Sequence, residues 1–417
     1  MFLIFADMKP SKIFTLILLF NEEKRERLIA NLSHLLVVLS IRDRHFLPRY
    51  ALQLPHVSGL RHLLLSRNDM AYIEILSLNC AAFDFLLRAF KPLWKQTIRP
   101  ITSSLHAPQK QLRKGRPRST NARYCLAVTL MWLNSWAPGK DLQLASGLTP
   151  TVFSVALNMG LDILYDLLPT IPDAQIRWPS VEEMAELSSV VRLKMGDVLP
   201  STWGMVDGLN LRMEEPFEPD IQNAYFNQWL QGVYCSSVFV FRADGPIAWC
   251  RLNCPGSWHD ARIAYPLYGK LLRSCPLPYN VISDTAFPRT KLMESKIWAG
   301  RKIGDVEGPA DRRDARKQQN RHAAITYMRQ SAEWGMRQLQ GQFGRLKGVL
   351  PRSANKRRKI LSVIAGLYNF RCRQVGLNQI RTVYDRVASG DHILWPDTGL
   401  AREGGIDRGA AYYRQVM

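Results

Sequence analysis

The sequence predicts an α/β protein in which a mixed sheet flanked by helices follows a mainly helical N-terminal region. Three observations predict it. Two short apolar runs, Trp203-Gly204-Met205-Val206 and Tyr279-Asn280-Val281-Ile282-Ser283, each end in an aspartate, Asp207 and Asp284. Between them, residues 233–242 and 245–254 are rich in Val, Phe, Ile, Tyr and Trp, and Ala243-Asp244-Gly245 supplies a hairpin turn signal. Before and after this block, apolar residues recur at helical spacing.

Bulk properties narrow the function classes. A chain of 417 residues is long enough for two to three domains with a sizeable core. The divisions expected are a helical region over 1–108, a basic linker and helical domain over 109–172, the sheet domain over 173–385 and a tail over 386–417. The formal charge of +21, from 56 Lys and Arg against 35 Asp and Glu, points to a polyanionic partner, with nucleic acid as the default. The apolar run from Ile13 to Phe20 is too short to span a bilayer, which needs about 20 residues, and no small-residue cleavage site follows it. No membrane association is expected. Seven cysteines without a CxxC pair argue against structural zinc and for reduced thiols, so an intracellular, nuclear protein is expected.

Residues 1–100 read as helical and carry no recognisable chemistry. Residues 110–119 form a basic, Gly/Pro-broken linker in which Lys114, Arg116 and Arg118 stand close together. Two readings are open there: an arginine-bearing arm lying in a DNA minor groove, or a solvated linker. Three helices follow, over 121–136, from near Asp141 to Gly147, and from Thr149-Pro150 through Ile163, where Pro suits a first helical turn. Their outline is that of a helix-turn-helix, but the third is nearly devoid of Lys and Arg, so a packed helical subdomain is an equal alternative. Ser180 with Glu183 gives a capping-box start to a further helix. The strand at Met205, the hairpin, a helical stretch from Asp260 to Leu272 and the strand at Val281 then give a β-β-β-α-β order. That is the order of a ribonuclease H-like domain.

A carboxylate closing a buried strand is desolvated and needs a partner, so two such strand ends on one sheet suggest carboxylates facing each other across a cation. Phosphoryl transfer with two metal ions requires three or four such acids, because Mg²⁺ prefers hard oxygen ligands. Glu294, Asp305, Glu307, Asp311, Asp314 and Glu333 are candidates for the third. Most lie in a polar insertion without apolar period. Glu333 instead sits beside an apolar stripe of Ala332, Met336, Leu339, Phe343 and Leu346. Its bland reading is an ion pair with Arg337, worth only about 0.3–0.5 kcal/mol. His259 and Asp260, after the third strand, either support the ligands or relay a proton; alternatively Asp260 is a helix N-cap. Tyr225, Phe226 and Trp229 read as core sooner than as a base-stacking surface. Arg337, Arg345, Lys347, Lys356, Arg357 and Arg358 are candidate phosphate contacts, and the Lys356–Lys359 run also suits nuclear import.

Five stretches, in order, carry a resemblance: Val206-Asp207-Gly208, residues 222–227, residues 255–261, residues 283–288, and the Glu333 helix running into Phe343-Gly344-Arg345-Leu346-Lys347. Over roughly 115–385 the chain resembles a DDE superfamily endonuclease of the PIF/Harbinger transposase type. It departs mildly at Leu209-Asn210-Leu211, where many members carry Thr-His-Ile. The resemblance implies Asp207, Asp284 and Glu333 as a catalytic triad holding two Mg²⁺ or Mn²⁺ ions. It further implies double-stranded DNA substrates (terminal repeats and a target site), strand transfer, a Myb-like DNA-binding partner and self-association. Two other classes stay open: a domesticated DNA-binding protein without nuclease activity, and a hydrolase of small phosphate esters, which leaves +21 unexplained.

Overall fold

A computed structural model describes residues 22–42, 49–97, 118–287, 291–300 and 312–376. Lys114, Arg116, Asp305, Glu307, Asp311 and the tail from 377 lie outside the described residues.

The N-terminal region is helical, as expected: α1 (Glu22–Arg42), α2 (Gly59–Ser66), α3 (Asp69–Leu76) and α4 (Cys80–Gln96). Ser58, Asn68 and Asn79 start the last three by accepting amide protons from Arg61, Ala71 and Ala82. The three expected helices follow as α5 (Ala122–Asn134), α6 (Gly139–Ser146) and α7 (Pro150–Leu167). Gly147 ends α6 in the left-handed region at φ 65°, and a Cβ there would meet the Gln53 carbonyl at 2.5 Å. Pro138, not Asp141, occupies the cap of α6. Helix α7 buries Phe153, Ala156, Leu157, Ile163, Leu164 and Leu167 against the core. Its exposed positions are Thr151, Ser154, Asn158, Asp162 and Asp166. An outer face with two acids and no base is ill suited to DNA, which favours the packed-subdomain alternative. Residues Pro150–Thr170 are apolar enough by composition to cross a bilayer, yet half of that stretch is buried inside the protein.

Helix α8 (Val181–Met195) opens with the full capping box of Ser180 and Glu183. The sheet then forms around β1 (Thr202–Arg212). After α9 (Pro219–Tyr225), β2 (Phe226–Asn227) adds a two-residue pairing to the start of β3 (Gly232–Arg242). Strand β3 runs antiparallel to both β1 and β4 (Ile247–Pro255). The turn between them holds as expected: Gly245 sits at φ 107°, and the Arg242 guanidinium bonds Asp244 and Glu183. Helices α10 (Asp260–Ile263) and α11 (Tyr265–Ser274) lead to β5 (Asn280–Ser283), parallel to β1, and β6 (Ile297–Ala299) pairs parallel with β5. The spatial order is β4-β3-β1-β5-β6. Helices α12 (Arg312–Gln342) and α13 (Ala354–Gln374) complete the described chain.

One continuous apolar core joins this sheet to α2–α7. Arg371 of α13 donates to the Ser77 carbonyl at 2.8 Å, and Ser77 Oγ donates to the Gln342 carbonyl at 2.8 Å. The turn between α3 and α4 is therefore tied to the end of α12 and to α13, an attachment that its own sequence does not announce.

Candidate active site

Asp207 is not at a strand end. Strand β1 continues through Gly208 to Arg212 and pairs with β3 along its length, Asp207 lying opposite Phe239. What opens Asp207 is the other neighbour. The β1–β5 ladder has its last pair at Met205 and Ile282, and β5 stops at Ser283. Both strands run in the same direction about 4.8 Å apart, so Asp207 and Asp284, each two residues further on, leave the ladder side by side. Asp284 opens a turn in which its Oδ1 accepts the Ala286 amide proton at 2.9 Å.

Gly208 continues the strand without a Cβ for a specific reason. A Cβ there would lie 2.4 Å from Oδ2 of Asp260. The expectation of Asp260 as a helix cap is thus corrected. His259 holds the cap position of α10, its carbonyl accepting the Arg262 and Ile263 amides, while the Asp260 carboxylate packs on the Gly208 backbone. His259 itself is exposed.

Glu333 reaches the same edge from α12, which packs against β1 and β5. The stripe beside it behaves as the spacing predicts: Ala332, Met336, Leu339, Phe343 and Leu346 are all buried. The helix itself ends at Gln342. Its ion pair is with Arg329, at 3.1 Å, rather than with Arg337. Both side chains are more than a third exposed, 42 % and 36 %, so solvent screens the pair and it contributes little.

Burial and nearby negative charge together act on Asp207 and Asp260. Burial pushes the Asp207 carboxyl up to about 7; the Gly208 amide opposes this, and the negative charges of Asp284, Asp260 and Glu333 add to it. Asp260 rises to about 6, first through burial and then through Asp284, with His259 partly offsetting. Carboxylates supply the hard oxygen donors that suit a divalent ion such as Mg²⁺. Among the described residues, no three acidic, His or Cys side chains lie close enough together to hold a metal ion.

The basic candidates divide sharply. Arg337, Lys347, Lys356 and Arg358 are exposed. Arg118, Arg345 and Arg357 are structural, which corrects their assignment as phosphate contacts. Arg118 stacks on Trp94 at 4.3 Å and donates to the carbonyls of Trp94 and Thr97, closing α4. Arg345 lies over Trp132 at 4.3 Å and donates to the Trp132 and Ala137 carbonyls, and burial lowers its guanidinium to about 10. Arg357 is 1 % exposed, donating to Asn253 Oδ1 at 2.8 Å and to the carbonyls of Pro351 and Arg352.

The aromatic cluster also departs from expectation. Tyr225 is half-buried beneath Arg357, but Trp229 is 92 % exposed and lines a cleft of about 960 Å³ that has Asp260 in its wall. Sequence reasoning placed this ring in the core, and only its hairpin-tip location distinguishes it.

Residues 206–369 match the model of a family described as DDE superfamily endonuclease. The matched segment runs from Val206 to Asn369 and includes Asp207, Asp260, Asp284 and Glu333. No curated protein and no solved structure matches the chain.

Proposed function

We propose that this chain, whose residues 206–369 match the family model of the DDE superfamily endonucleases, is a divalent-metal-dependent DNA endonuclease acting as a transposase. The observation that carries the proposal is the geometry of one sheet edge, where Asp207 and Asp284 leave the β1–β5 ladder side by side, Asp260 lies against Gly208 and α12 packs across both strands. Asp207, Asp284 and Glu333 are the proposed metal ligands, with Asp260 adjoining them. When bound, Mg²⁺ or Mn²⁺ supplies Lewis-acid activation of the attacking and leaving oxygens of a phosphodiester.

The chain's own residues then have separable tasks. The Gly208 amide, 2.8 Å from Asp207 Oδ1, fixes the orientation of that carboxylate. The Ala286 amide does the same for Asp284. The rigid α12 carries Glu333 to the edge on its buried stripe. Exposed Arg337, Lys347, Lys356 and Arg358 supply the charge that draws the phosphate backbone in.

The ribonuclease H-like reading rests on the order β4-β3-β1-β5-β6, with three antiparallel strands followed by two parallel ones. The Harbinger-type reading rests on the motifs at residues 222–227 and 255–261, which brace each other: Ser257 Oγ donates to the Ala224 carbonyl at 2.7 Å. Cleavage at transposon terminal repeats, strand transfer into target DNA, a Myb-like partner, self-association and a nuclear site of action belong to the same proposal. The net charge of +21 and exposed Lys356 and Arg358 support the nuclear part.

The test is cleavage of plasmid or terminal-repeat DNA with Mg²⁺ or Mn²⁺, comparing wild type with Asp207→Asn, Asp284→Asn and Glu333→Gln. Each substitution is expected to abolish cutting while leaving DNA binding. Cutting that persists in all three sinks the triad. A wild-type protein that binds DNA and never cuts it is instead a domesticated DNA-binding descendant.

A further inference from the structure

Trp229 is the least explained side chain near the carboxylates. It sits at the tip of the β2–β3 hairpin, in the turn 228–231, and is 92 % exposed. Exposing a whole indole to water forgoes the burial that normally places this residue type at least partly inside. The turn that presents it is held firmly. Asn227 Oδ1 accepts the Leu230 amide at 3.0 Å, and Asn227 Nδ2 donates to the Gly256 carbonyl at 2.8 Å. Gln231 adopts φ 51° and donates through its amide to the Gln228 carbonyl. Gly256 is fixed in turn, because a Cβ would lie 2.3 Å from the Tyr234 carbonyl and 2.6 Å from that of Tyr225. The ring is therefore displayed on a braced support.

The cleft beneath it has an unusual lining for a DNA-cutting protein. Its wall carries the amide side chains of Asn210, Gln228 and Gln231 beside His259 and Asp260 and, among the described residues, no Lys or Arg, although the chain as a whole is at +21. Neutral groups that both donate and accept suit a base edge; a phosphate would call for cations. The other indole in the wall, Trp258, is already occupied by Arg262 at 4.3 Å and Arg251 at 5.5 Å. Trp229 has no such ring or cation partner among the described residues. The cleft also shares Asp260 and Ala286 with the carboxylate edge, so whatever fills it lies next to the strand being processed.

We propose that this cleft seats an unpaired nucleobase of the DNA strand, stacked on Trp229 and read on its edge by the neighbouring amides. The proposal rests on the reading of the protein as a DNA-cutting enzyme. It assigns to the β2–β3 hairpin the task of holding a strand open beside the carboxylates, with Asn227 as the residue that positions the ring.

The experiment measures binding by the full chain in EDTA, where no cleavage occurs, to three labelled probes: single-stranded oligo-dT, a base-free abasic chain of the same length, and a blunt duplex. Trp229→Ala is expected to weaken oligo-dT binding roughly five- to hundredfold, the range for losing one stacked base. Binding of the abasic chain and the duplex is expected to stay unchanged, and Trp229→Phe to restore most of the oligo-dT affinity. Because the side chain is solvent-exposed, the thermal transition should not move. Unchanged oligo-dT affinity in Trp229→Ala overturns the proposal, as does an equal loss on the abasic chain, failure of Phe to rescue, or a wild type that binds no oligonucleotide. Failure of the nuclease reading appears separately, as cutting that survives the triad substitutions, and leaves this binding result legible by itself.

Discussion

Replacing Asp207 by Asn should stabilise the metal-free protein, and the effect should depend on pH with a defined sign. The Asp207 carboxyl has a folded-state pKa of about 7 against an unfolded value of 3.8. Between those values the folded protein holds a proton that the unfolded chain has released. The contribution of neutral Asp207 is thus fully present below about pH 4 and is lost as pH rises through 7. At 1.36 kcal/mol per pKa unit the ceiling is about 4 kcal/mol, and residual solvent access brings the expectation to roughly 2–3 kcal/mol. Asparagine keeps an oxygen for the Gly208 amide, which now lies 2.8 Å from Asp207 Oδ1, and carries no charge. Asp207→Asn should therefore match wild type near pH 4 and exceed it by about 2–3 kcal/mol at pH 8 in urea unfolding with EDTA present. Mg²⁺ should then close the gap by stabilising wild type alone, by about 2.7 kcal/mol when present at 100 times its dissociation constant. A wild-type stability that is flat from pH 4 to 8, or a variant that follows wild type at every pH, would refute the electrostatic account of the site.

Two glycines offer a contrast in the same motifs. Gly208→Ala puts a Cβ against the Asp260 carboxylate, a side-chain group that can swing away, so stability should fall by only about 1 kcal/mol while metal-dependent cleavage drops severely. Gly256→Ala meets the carbonyls of Tyr234 and Tyr225, which the backbone cannot easily move, and should cost on the order of 3 kcal/mol by thermal unfolding. Neighbouring arginines separate in the same way. Arg357→Met strands Asn253 Oδ1 and two carbonyls and should cost roughly 2–4 kcal/mol with no change in the salt dependence of DNA binding. Arg358→Ala should leave stability alone and lower the slope of log affinity against log salt by about 1.

Much of the sheet was legible in the sequence because its strands announce themselves. Residues 233–242 and 280–283 are β-branched or aromatic runs closed by turn residues, and a buried strand needs that composition. Asp207 was legible as a candidate but not its position. Glycine after aspartate reads locally as a break, whereas here the missing Cβ makes room for a carboxylate from far along the chain. Glu333 was found through the stripe beside it, since burial of Ala332, Met336 and Leu339 dictates which side of the helix faces the sheet. Its partner was not: Arg329 and Arg337 are equally spaced from it, and only the surroundings choose between them. The basic residues were the least legible. Charge alone does not say whether a guanidinium faces water or caps carbonyls, and Arg118, Arg345 and Arg357 each lie over an aromatic ring distant in sequence. The contacts of Ser77 with Arg371 and of Phe85 with Phe370, which tie the N-terminal helices to α13, are likewise unannounced by the residues that make them.

These corrections alter how the site must work. With Arg357 buried and Arg118 and Arg345 bonded to backbone carbonyls, the candidate cations that stay exposed among the described residues are Arg337, Lys347, Lys356 and Arg358, on α12, on α13 and in the segment between them. The carboxylate edge that they flank repels phosphate. Burial first, and neighbouring negative charge second, raises Asp207 to about 7 and Asp260 to about 6, so near neutral pH the edge is only partly ionised and keeps part of its negative charge. A phosphodiester brought there by the surrounding bases would meet that field unscreened, because burial weakens the shielding that water gives elsewhere. A divalent cation relieves both conflicts together, the carboxylates with one another and the carboxylates with the phosphate. Metal and DNA should therefore each raise the affinity of the other by the same factor, as linkage requires. The cleft beneath Trp229, with its amides beside Asp260, fits the same logic: a base carries no charge, and it can approach this edge where a second phosphate could not.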